Sequence, residues 1–360
     1  MFHFFIGTKA QFIKMAPIMI EMQKQGVAYR YIESGQHGEL LKSLRQVFGI
    51  REPDISLSED GHDITNIVKA AKWVSRLWVY TIFRKKWLRE DVFKGGGICL
   101  IHGDTLSTLL GMKMAKAAGI AVGQVEAGLR SYNILHPFPE ELTRIYCMKR
   151  CDILFAPSAE AAENLRRMKV NGKIVQIDGN TVVDALRYIE NVKVTVKIPV
   201  EPYALAACHR LETITSRKRL EQVVAMLNRL SQEIKVIFVT HKPTQKYLGK
   251  FGLKEKILSG VEAIGMQEYM NFVALIRGAK MVMADGGSIQ EECGYLRKPC
   301  LILRNRTERP DGLGRNAMLW GFDEGTLEEF MAKVDTLSCA DEEWPYPSTQ
   351  IVNHLLHHDW

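Results

Sequence analysis

Acidic residues follow several apolar runs of this sequence, at points where buried strands are expected to end. Asp104 follows the largely apolar run 97–103, Glu126 interrupts the apolar run 120–128, and Glu140 follows a segment with two prolines. Carboxyl groups at such positions can remove or deliver a proton when their surroundings set their pKa. The first hypothesis is therefore acid–base chemistry on a bound substrate, which requires a fold that gathers these side chains.

The elements that must position these residues are short apolar runs that alternate with longer amphipathic stretches. This alternation predicts parallel sheets covered by helices on both faces. The predicted strands are 3–7, 29–35, 97–104, 120–128, 152–158, 173–180, 202–209, 235–241, 280–286 and 299–305. The predicted helices are 14–26, 107–119, 159–170, a stretch that ends near 232 and one near 288–297. The expected fold class is α/β, with two Rossmann-type, doubly wound domains that face each other across a cleft.

Polar residues lie at or near the ends of five predicted strands: Asp104, Glu126, His209, His241 and Asp285. In doubly wound sheets, ligands bind beyond the carboxyl ends of the strands. Each residue alone is more simply explained as a turn residue or a helix cap. Taken together, they indicate a ligand site.

The composition excludes several classes of protein. The chain has 360 residues, of which 46% are hydrophobic and 25% charged, as is usual for soluble proteins of about two domains. The net charge of +7 is spread along the chain, so nucleic-acid binding is not expected. The sequence contains no apolar run of membrane-spanning length, and Gly7 interrupts the start too early for a signal peptide. The seven cysteines lie mostly in apolar runs, which indicates reduced thiols and a cytoplasmic location.

The segment GTKAQFIKMAP, residues 7–17, follows the first predicted strand and opens a helix. Gly7 permits a tight turn, and the helix N-terminus together with Lys9 and Lys14 favours a bound anion. The segment lacks the GxGxxG fingerprint, so it does not predict a dinucleotide site. Lysines on a solvated turn are the alternative interpretation.

The segment ADGGSIQEE, residues 284–292, combines a strand end, a glycine turn and a helix start. The N–H groups of Gly286, Gly287 and Ser288 can approach phosphate oxygens closely, because glycine has no Cβ. Glu292, one turn into the helix, can accept hydrogen bonds from two ribose hydroxyls. Arg309 follows the next strand and can offer planar donors to phosphate. The alternative is an ordinary glycine turn with a capped helix.

Two histidines lie at consecutive predicted corners between strand and helix. His209 in HRLET and His241 in THKP can donate to a diphosphate or act as an acid or base near neutral pH. The histidines at 354, 357 and 358 are metal ligands by type, but they lie in a terminal tail. We therefore predict no metal site.

The stretch 73–91, WVSRLWVYTIFRKKWLRED, combines aromatic and basic residues. Its basic residues scatter around a helical projection, whereas a helix on a membrane surface needs them on one face. The pattern favours a helix packed at the domain surface or in a subunit contact. Docking to a membrane or another partner is the less favoured alternative.

Eight segments occur in the order in which UDP-N-acetylglucosamine 2-epimerases carry them. They are GTKAQFIKMAP, SGQHGELL, HGDTLST, GQVEAGLRS, HPFPEELTR, HRLET, DGGSIQEE and NRTERP, and the match spans residues 6 to about 321. The chain thus resembles that family, which implies a GT-B-like fold, a UDP-sugar substrate, no cofactor or metal, and a homodimer. The implied parts are an N-terminal domain with the catalytic carboxylates, a connection of mixed charge, a UDP-binding domain, and a C-terminal helix that packs on the first domain. Their expected bounds are 1–183, 184–201, 202–345 and 346–360.

The resemblance also implies roles for residues that match the family motifs. The catalytic carboxylates would be Asp104, Glu126 and Glu140, with His209 near the diphosphate. The nucleotide or its sugar would be held by residues that match the motifs: Lys14, Phe272, Gly287, Ser288, Glu292 and Arg309. Lys9, His241 and Gly286 join this set by their positions at strand ends and helix starts. Phe272 lies where an apolar residue packs on uracil. Gln36 and His37 match a segment that lies near a second, activating UDP-sugar in non-hydrolysing bacterial members.

The sequence departs from the family pattern at several motifs. GTKAQ stands where the family usually has GTRPE, so Lys9 replaces an arginine and Gln11 a glutamate. DGGS stands for DSGG and HRLETI for HRRENF, and about ten extra residues precede Gly97. These changes bear on the exact sugar more than on the reaction. QFIK is also similar to epimerases of UDP-diacetamido uronic acids, which stay an alternative substrate class.

The chemistry that the resemblance implies is an elimination followed by an addition. A carboxylate removes the C2 proton of a UDP-2-acetamido sugar while UDP leaves C1, and UDP then re-adds as C2 is protonated on the opposite face. The segment of Gln36 and His37 favours this non-hydrolysing form over one in which water adds and the free sugar is released. A GT-B glycosyltransferase and a catalytically silent UDP-sugar-binding protein remain alternatives.

Overall fold

Two compact units make up the chain in the computed structural model. The structure describes residues 1–58, 67–133, 139–307, 309, 312–337 and 343–358. Unit 1 consists of Met1–Asn191 and Pro345–Trp360, and unit 2 of Val192–Trp344. None of the helices formed by the described residues has the length and hydropathy needed to cross a membrane.

Unit 1 contains a parallel sheet in the order β3-β2-β1-β4-β5-β6-β7. Its strands are β1 (Phe2–Ile6), β2 (Tyr29–Glu33), β3 (Ile55–Ser56), β4 (Ile98–His102), β5 (Ala121–Val125), β6 (Ile153–Ala156) and β7 (Lys173–Gln176). The chain leaves β1 toward β2 on one side, and β4 pairs with β1 on the other. The strand order therefore reverses between β1 and β4, which is where doubly wound sheets bind ligands.

The helices of unit 1 cover this sheet. They are α1 (Lys9–Lys24), α2 (Gly38–Phe48), α3 (Ile67–Phe83), α4 (Lys85–Trp87), α5 (Leu106–Ala117), α6 (Glu140–Met148), α7 (Ala159–Arg167), α8 (Val182–Tyr188) and, from the end of the chain, α15 (Pro347–His357). A π-helical turn, Leu88–Val92, follows α4. Helix α15 packs against α1 and α8, and the Ser348 N–H donates to Asp184 in α8 over 2.8 Å.

Unit 2 repeats the doubly wound arrangement with the parallel order β10-β9-β8-β11-β12-β13. Its strands are β8 (Tyr203–Ala207), β9 (Lys235–Thr240), β10 (Val261–Gly265), β11 (Met281–Ala284), β12 (Cys300–Ile302) and β13 (Ala317–Leu319). Its helices are α9 (Leu211–Ile214), α10 (Arg217–Leu230), α11 (Lys242–Lys250), α12 (Tyr269–Gly278), α13 (Gly287–Tyr295) and α14 (Glu324–Lys333). Here the order reverses between β8 and β11.

Burial on both faces explains why the strands read as continuous apolar runs. In β8, Ala204 and Ala206 join one apolar cluster, whereas Tyr203, Leu205 and Ala207 join another. Successive side chains of a strand point to opposite faces, so the two clusters lie on the two sides of the sheet. The prediction of doubly wound α/β units is confirmed.

The predicted elements differ from the observed ones mainly at helix starts. Helix α1 begins at Lys9 and not at residue 14, because Thr8 and Gln11 form a reciprocal capping box. Its Pro17 lies inside the helix. The helix predicted to end near 232 is broken, since Ser216 caps α10 anew by accepting from the Arg219 N–H. Residues 184–188, at the start of the connection predicted over 184–201, are helical in α8.

Candidate functional site

Glu126 lies at the carboxyl end of β5 in a strained backbone conformation. Its φ is +61°, a left-handed value that residues other than glycine adopt infrequently. Such a value often marks a functional position. Its Oε2 accepts hydrogen bonds from Lys14 Nζ and Asn180 Nδ2. His102 Nε2 lies 3.7 Å from the same oxygen. A buried carboxylate is thus held by one cation and one amide, in a site built from β4, β5, α1 and the residues after β7.

Gln11 forms hydrogen bonds to two segments that meet where the strand order of unit 1 reverses. Its Oε1 accepts from the N–H groups of Gly7 and Thr8, over 2.9 and 3.1 Å. Its Nε2 lies within 3.0 Å of the His102 carbonyl oxygen and the Thr105 and Thr108 hydroxyls. One buried amide therefore joins the start of α1 to the end of β4 and fixes Lys14, one turn further along α1, relative to His102.

Asp104 follows β4 and forms an ion pair with Arg144 of α6. Arg144 also donates through Nη1 to Glu141, over 2.7 Å, and Arg130 Nε donates to the other oxygen of Glu141 over 2.5 Å. Burial alone would raise the pKa of Glu141, but Arg130, the Ser131 N–H and Arg144 together hold it below its usual value. An ionised Glu141 thus anchors the arginine that pairs with Asp104.

Glu140 is the first residue of α6 and is partly buried. Its Oε2 is buried and makes no hydrogen bond to any residue that the structure describes. The residues 134–138, which include most of the HPFP segment, lie outside the described part of the chain. Glu140 is therefore available to a ligand, whereas Glu141 is engaged in holding two arginines.

A second polar group surrounds the turn after β1. Ser107 Oγ lies 3.0 Å from Ser34 Oγ and donates to Gln36 Oε1 over 2.6 Å. The Lys9 N–H donates to His37 Nδ1 over 3.3 Å. Gly7 is required here, since a Cβ at that position would lie 2.0 Å from Ser107 Oγ. The predicted ligand residues Lys9, Gln36 and His37 thus lie together, beside the β1–α1 turn.

In unit 2, a fully buried carboxylate organises the corner after β8. Asp285, at the end of β11, accepts hydrogen bonds from the N–H groups of His209 and Arg210, the shortest over 2.9 Å. The Cys208 thiol donates to Asp285 Oδ2 over 3.3 Å, and burial, followed by the Asp285 charge, raises its pKa well above the usual value. Asp285 therefore shapes the loop of His209 and lies away from solvent.

The imidazoles of His209 and His241 stack at the ends of neighbouring strands. Their ring centroids are 4.9 Å apart and their planes differ by 25°. His209 Nδ1 lies 3.4 Å from Asp285 Oδ1. A Cβ at Gly286 would come within 3.1 Å of His209 Cε1, so a glycine there leaves room for the ring. The two predicted histidines are thus in contact, as the adjacent corners suggested.

Helix α13 begins at the predicted glycine turn. Gly286 is its N-cap and makes no side-chain cap, so Gly287 and Ser288 form an uncapped first turn with backbone donors. Glu292 is buried further along the helix. Burial and the Glu292 carboxylate raise the pKa of the neighbouring Tyr269 well above its usual value, so Tyr269 stays a neutral phenol. The arrangement leaves the N–H groups of a helix N-terminus for an anion.

Arg309 is buried and Phe272 is partly buried. Arg309 Nη1 forms a buried ion pair with Glu291, over 2.9 Å, and its carbonyl oxygen accepts from Gln290 Nε2 over 3.0 Å. Residues 308 and 310 of the TERP motif, and residue 311 after it, lie outside the described chain. Phe272 in α12 is partly buried and packs on the apolar cluster around Tyr203. Both remain predicted ligand residues.

Several site residues were not predicted from the sequence. Asn180, His102 and Arg144 contact the catalytic candidates, and each comes from a segment distant in sequence. Of these three, Arg144 could have been found from the sequence. It lies three residues after Glu141, and residues with this spacing are neighbours on one face of a helix. Among the residues that the structure describes, no group of three or more His, Cys, Asp or Glu side chains could hold a metal ion.

Comparison with known proteins assigns these arrangements to a family. The family model "UDP-N-acetylglucosamine 2-epimerase" matches residues 20–344. The chain belongs to the UDP-N-acetylglucosamine 2-epimerase family. A UDP-N-acetylglucosamine 2-epimerase of Methanococcus maripaludis is 30% identical, and the match covers 95% of this chain and 93% of that protein. The resemblance of the eight motifs is thereby confirmed.

Two solved structures extend the family match to the fold. The UDP-GlcNAc 2-epimerase of Neisseria meningitidis, solved with UDP-GlcNAc, is 26% identical, has a TM-score of 0.80, and covers 99% of this chain and 98% of that chain. The enzyme of Methanocaldococcus jannaschii, solved with UDP-GlcNAc and UDP, is 26% identical, has a TM-score of 0.79, and matches 99% of both chains. The predicted GT-B-like fold class and the class of enzyme, an epimerase, are therefore confirmed for this member of the family.

Proposed function

We propose that this epimerase interconverts UDP-N-acetylglucosamine and UDP-N-acetylmannosamine by eliminating UDP and adding it back. The observation that carries the proposal is the placement of Asp104 and Glu126 at the ends of adjacent parallel strands, each held by a cation, in a chain of this family. The relative from Neisseria meningitidis binds UDP-GlcNAc. Two oriented carboxylates at one sheet edge suit proton removal and proton delivery at a single carbon.

The proton steps fall to Asp104, Glu126 and Glu140. One carboxylate removes the C2 proton as the bond from C1 to the diphosphate oxygen breaks, so the electron pair forms the C1–C2 double bond of a 2-acetamidoglucal. UDP then adds back to C1, and an acid protonates C2 on the opposite face. Atoms and charge balance without an oxidant. Because the proton returns to the other face, at least two of the three groups must serve.

The departing diphosphate requires cations and backbone donors. In unit 2, His209 and the N–H groups of Gly287 and Ser288 are the candidate donors, and in unit 1, Lys9 and Lys14 are the candidate cations. Glu292 accepts the ribose hydroxyls, and Phe272 packs on the uracil. Arg309 is the arginine of the matching motif and adds a cation for the diphosphate. Gln36 and His37 border a second UDP-sugar site. These roles follow from the motif matches and from the helix N-terminus of α13.

The test is an incubation of the enzyme with UDP-N-acetylglucosamine in D₂O, followed by NMR. We expect deuterium at C2 of the product UDP-N-acetylmannosamine and little free UDP, because the acid that protonates C2 of the intermediate takes its hydrogen from the solvent. Product without deuterium at C2 contradicts proton removal from that carbon.

The same experiment separates the alternative functions. Stoichiometric free UDP together with free N-acetylmannosamine identifies the hydrolysing reaction. UDP-N-acetylglucosamine that binds but keeps its C2 proton identifies a silent binding protein or a glycosyltransferase that awaits an acceptor. Exchange with a UDP-diacetamido uronic acid, and none with UDP-N-acetylglucosamine, identifies that substrate class.

We also infer that the protein forms a homodimer through α3. Side chains on the outer face of this helix are apolar and exposed: the exposed fractions are 45% for Val79, 50% for Ile82 and 78% for Phe83. The opposite face is buried, since Trp73 and Leu77 join the core. An apolar stripe of this kind is typical of a subunit contact. The basic residues of the stretch 73–91 scatter around a helical projection, which makes a membrane surface the weaker occupant.

A charge on that stripe should separate the subunits. We expect Ile82→Glu to change the mass measured by light scattering during size-exclusion chromatography from dimer to monomer. The matched control is Leu258→Glu, an equally exposed apolar residue of unit 2, with an exposed fraction of 49%. A wild-type monomer, or a dimer that survives Ile82→Glu, contradicts the assignment.

A cytoplasmic location fits the state of the thiols. Cys99, Cys147, Cys151, Cys208, Cys293 and Cys300 are free and buried, and Cys339 lies outside the described residues. Burial is the main cause that raises the pKa of Cys147 to about 12. Unpaired, unreactive thiols are usual in reducing compartments.

A further inference from the structure

Helix α3 holds the ends of two strands of unit 1 through side-chain donors. Trp73 Nε1 donates to the Ser34 carbonyl oxygen over 2.7 Å, directly after β2. Arg76 Nη2 donates to the Leu57 carbonyl oxygen over 2.6 Å, directly after β3. Residues three positions apart are neighbours on one face of a helix, so a single face of α3 makes both contacts. Trp73 is buried, and a buried indole N–H usually has an acceptor of this kind.

The turn 34–36, which follows β2, is also held by α5. Ser34 Oγ lies 3.0 Å from Ser107 Oγ and accepts from the Gln36 N–H over 3.4 Å. Ser107 Oγ donates to Gln36 Oε1 over 2.6 Å. A hydroxyl has one hydrogen, so Ser107 gives its own to Gln36 and accepts that of Ser34. The Gln36 amide is thus held by its oxygen, at the end of a chain of hydrogen bonds that begins at Ser34.

The backbone of the turn lies directly against the segment after β3. Gly35 has a φ of +81°, and a Cβ there would come within 2.7 Å of Ser58 Cα, so the two backbones pass too closely for a side chain. Arg76 fixes the same segment at the Leu57 carbonyl oxygen. The turn and the segment beside it are therefore both tied to α3, and Trp73 supplies the link to the turn.

We propose that Trp73 is a positioning residue for the ligand site of unit 1, which acts by holding the turn that carries Gln36. The inference rests on the proposed function, in which Gln36 borders a UDP-sugar. Trp73 itself lies in the apolar core of unit 1, so it acts through the backbone of the turn. A turn that loses one of its hydrogen bonds samples more positions. A ligand must then restrict it on binding, which lowers the affinity.

The proposal predicts that the indole N–H of Trp73 contributes to substrate affinity. Trp73→Phe keeps an apolar ring and removes only the donor. We expect it to weaken binding of UDP-N-acetylglucosamine by about 5-fold, the factor that one neutral hydrogen bond contributes, and to leave kcat within about twofold of wild type. Isothermal titration calorimetry measures the affinity and steady-state epimerisation the kcat. The matched control is Trp87→Phe, since Trp87 packs on the same apolar cluster, and it should change neither value.

A double-mutant cycle separates positioning of the turn from a general structural role. If Trp73 acts through Gln36, the Trp73→Phe change should alter the affinity by less than about twofold when Gln36 is already alanine. Hydrogen exchange followed by mass spectrometry gives a readout that needs no ligand. Peptides that cover the turn 34–36 should exchange faster in Trp73→Phe, whereas peptides from α15 should not. Thermal unfolding shows whether each variant is folded at the assay temperature.

The outcomes decide as follows. Weaker binding in Trp73→Phe alone, which disappears in the Gln36→Ala background and accompanies faster exchange of the turn, supports the proposal. Unchanged affinity, unchanged exchange, or an effect that persists without the Gln36 amide overturns it. If wild type binds UDP-N-acetylglucosamine without epimerising it, the proposed function fails, while affinity and exchange still decide the role of Trp73. A wild type that does not bind this sugar nucleotide overturns both.

Discussion

Replacing Glu126 by glutamine is expected to lower the turnover number by a factor on the order of 10² or more while UDP binding persists. An amide of the same shape can neither remove a proton nor deliver one, and loss of a general acid or base has this magnitude. Lys14 and Asn180 donate to Glu126 Oε2, so they can still meet the carbonyl oxygen of glutamine. The measurement is steady-state epimerisation, with UDP affinity by calorimetry on the same preparation.

The neighbouring carboxylates provide the comparison. Asp104→Asn and Glu140→Gln should show losses of the same order, whereas Glu163→Gln, on the exposed surface of α7, should not change the rate. Removing one partner of a buried ion pair also destabilises a fold, so thermal unfolding must show that the Glu126 variant is folded at the assay temperature. Rates near wild type in all three site variants would refute the assignment of these groups.

Replacing Asp285 by alanine is expected to damage both stability and UDP binding in unit 2. The change leaves the N–H groups of His209 and Arg210 without the acceptor that they share. Unmet buried donors of this kind destabilise a protein by about 1–3 kcal/mol each, and a total near 3 kcal/mol shifts the Tm by roughly 6–12 °C in a domain of this size. Because the loop of His209 loses its anchor, UDP affinity should fall by about 10-fold or more.

A carboxylate on the surface of the same unit is the control for Asp285. Asp335 pairs with Lys280, and its exposed fraction is 76%, so Asp335→Ala should change stability by less than about 1 kcal/mol and leave UDP affinity unchanged. Differential scanning calorimetry and titration with UDP measure the two effects. If Asp285→Ala melts and binds like wild type, the carboxylate does not organise the His209 corner.

The strand ends were predictable because parallel strands end at one edge of a sheet. Asp104, Glu126, His209, His241 and Asp285 all follow strands, as the apolar runs indicated. The partners of these residues were not predictable in the same way. Lys14 and Glu126 are 112 positions apart, and nothing in either local pattern specifies that their side chains meet. The role of Asp285 could not be predicted from the sequence either. A buried carboxylate that accepts backbone hydrogen bonds and a carboxylate that binds a ligand both appear as an acidic residue at a strand end.

Some helix boundaries were predicted wrongly because the hydrophobic pattern alone does not show where a helix begins. The start of α1 is set by the reciprocal hydrogen bonds of Thr8 and Gln11, ahead of its long apolar stretch. Residues 184–188 carry mixed charge, yet Val182, Val183, Ala185 and Leu186 are buried in α8. The strands β3, β10 and β13 and the helices α2, α6, α8, α11, α12 and α14 were not predicted.

The amide of Gln11 has a consequence for anyone who builds chimeras between this epimerase and its relatives. The motif resemblance implies glutamate at this position in the family, and an ionised carboxylate has no hydrogen to offer the His102 carbonyl oxygen, to which Gln11 Nε2 donates. A chimera that brings glutamate to position 11 would therefore lose this donor, and its carboxylate would face a carbonyl oxygen unless the segment 102–108 takes another path.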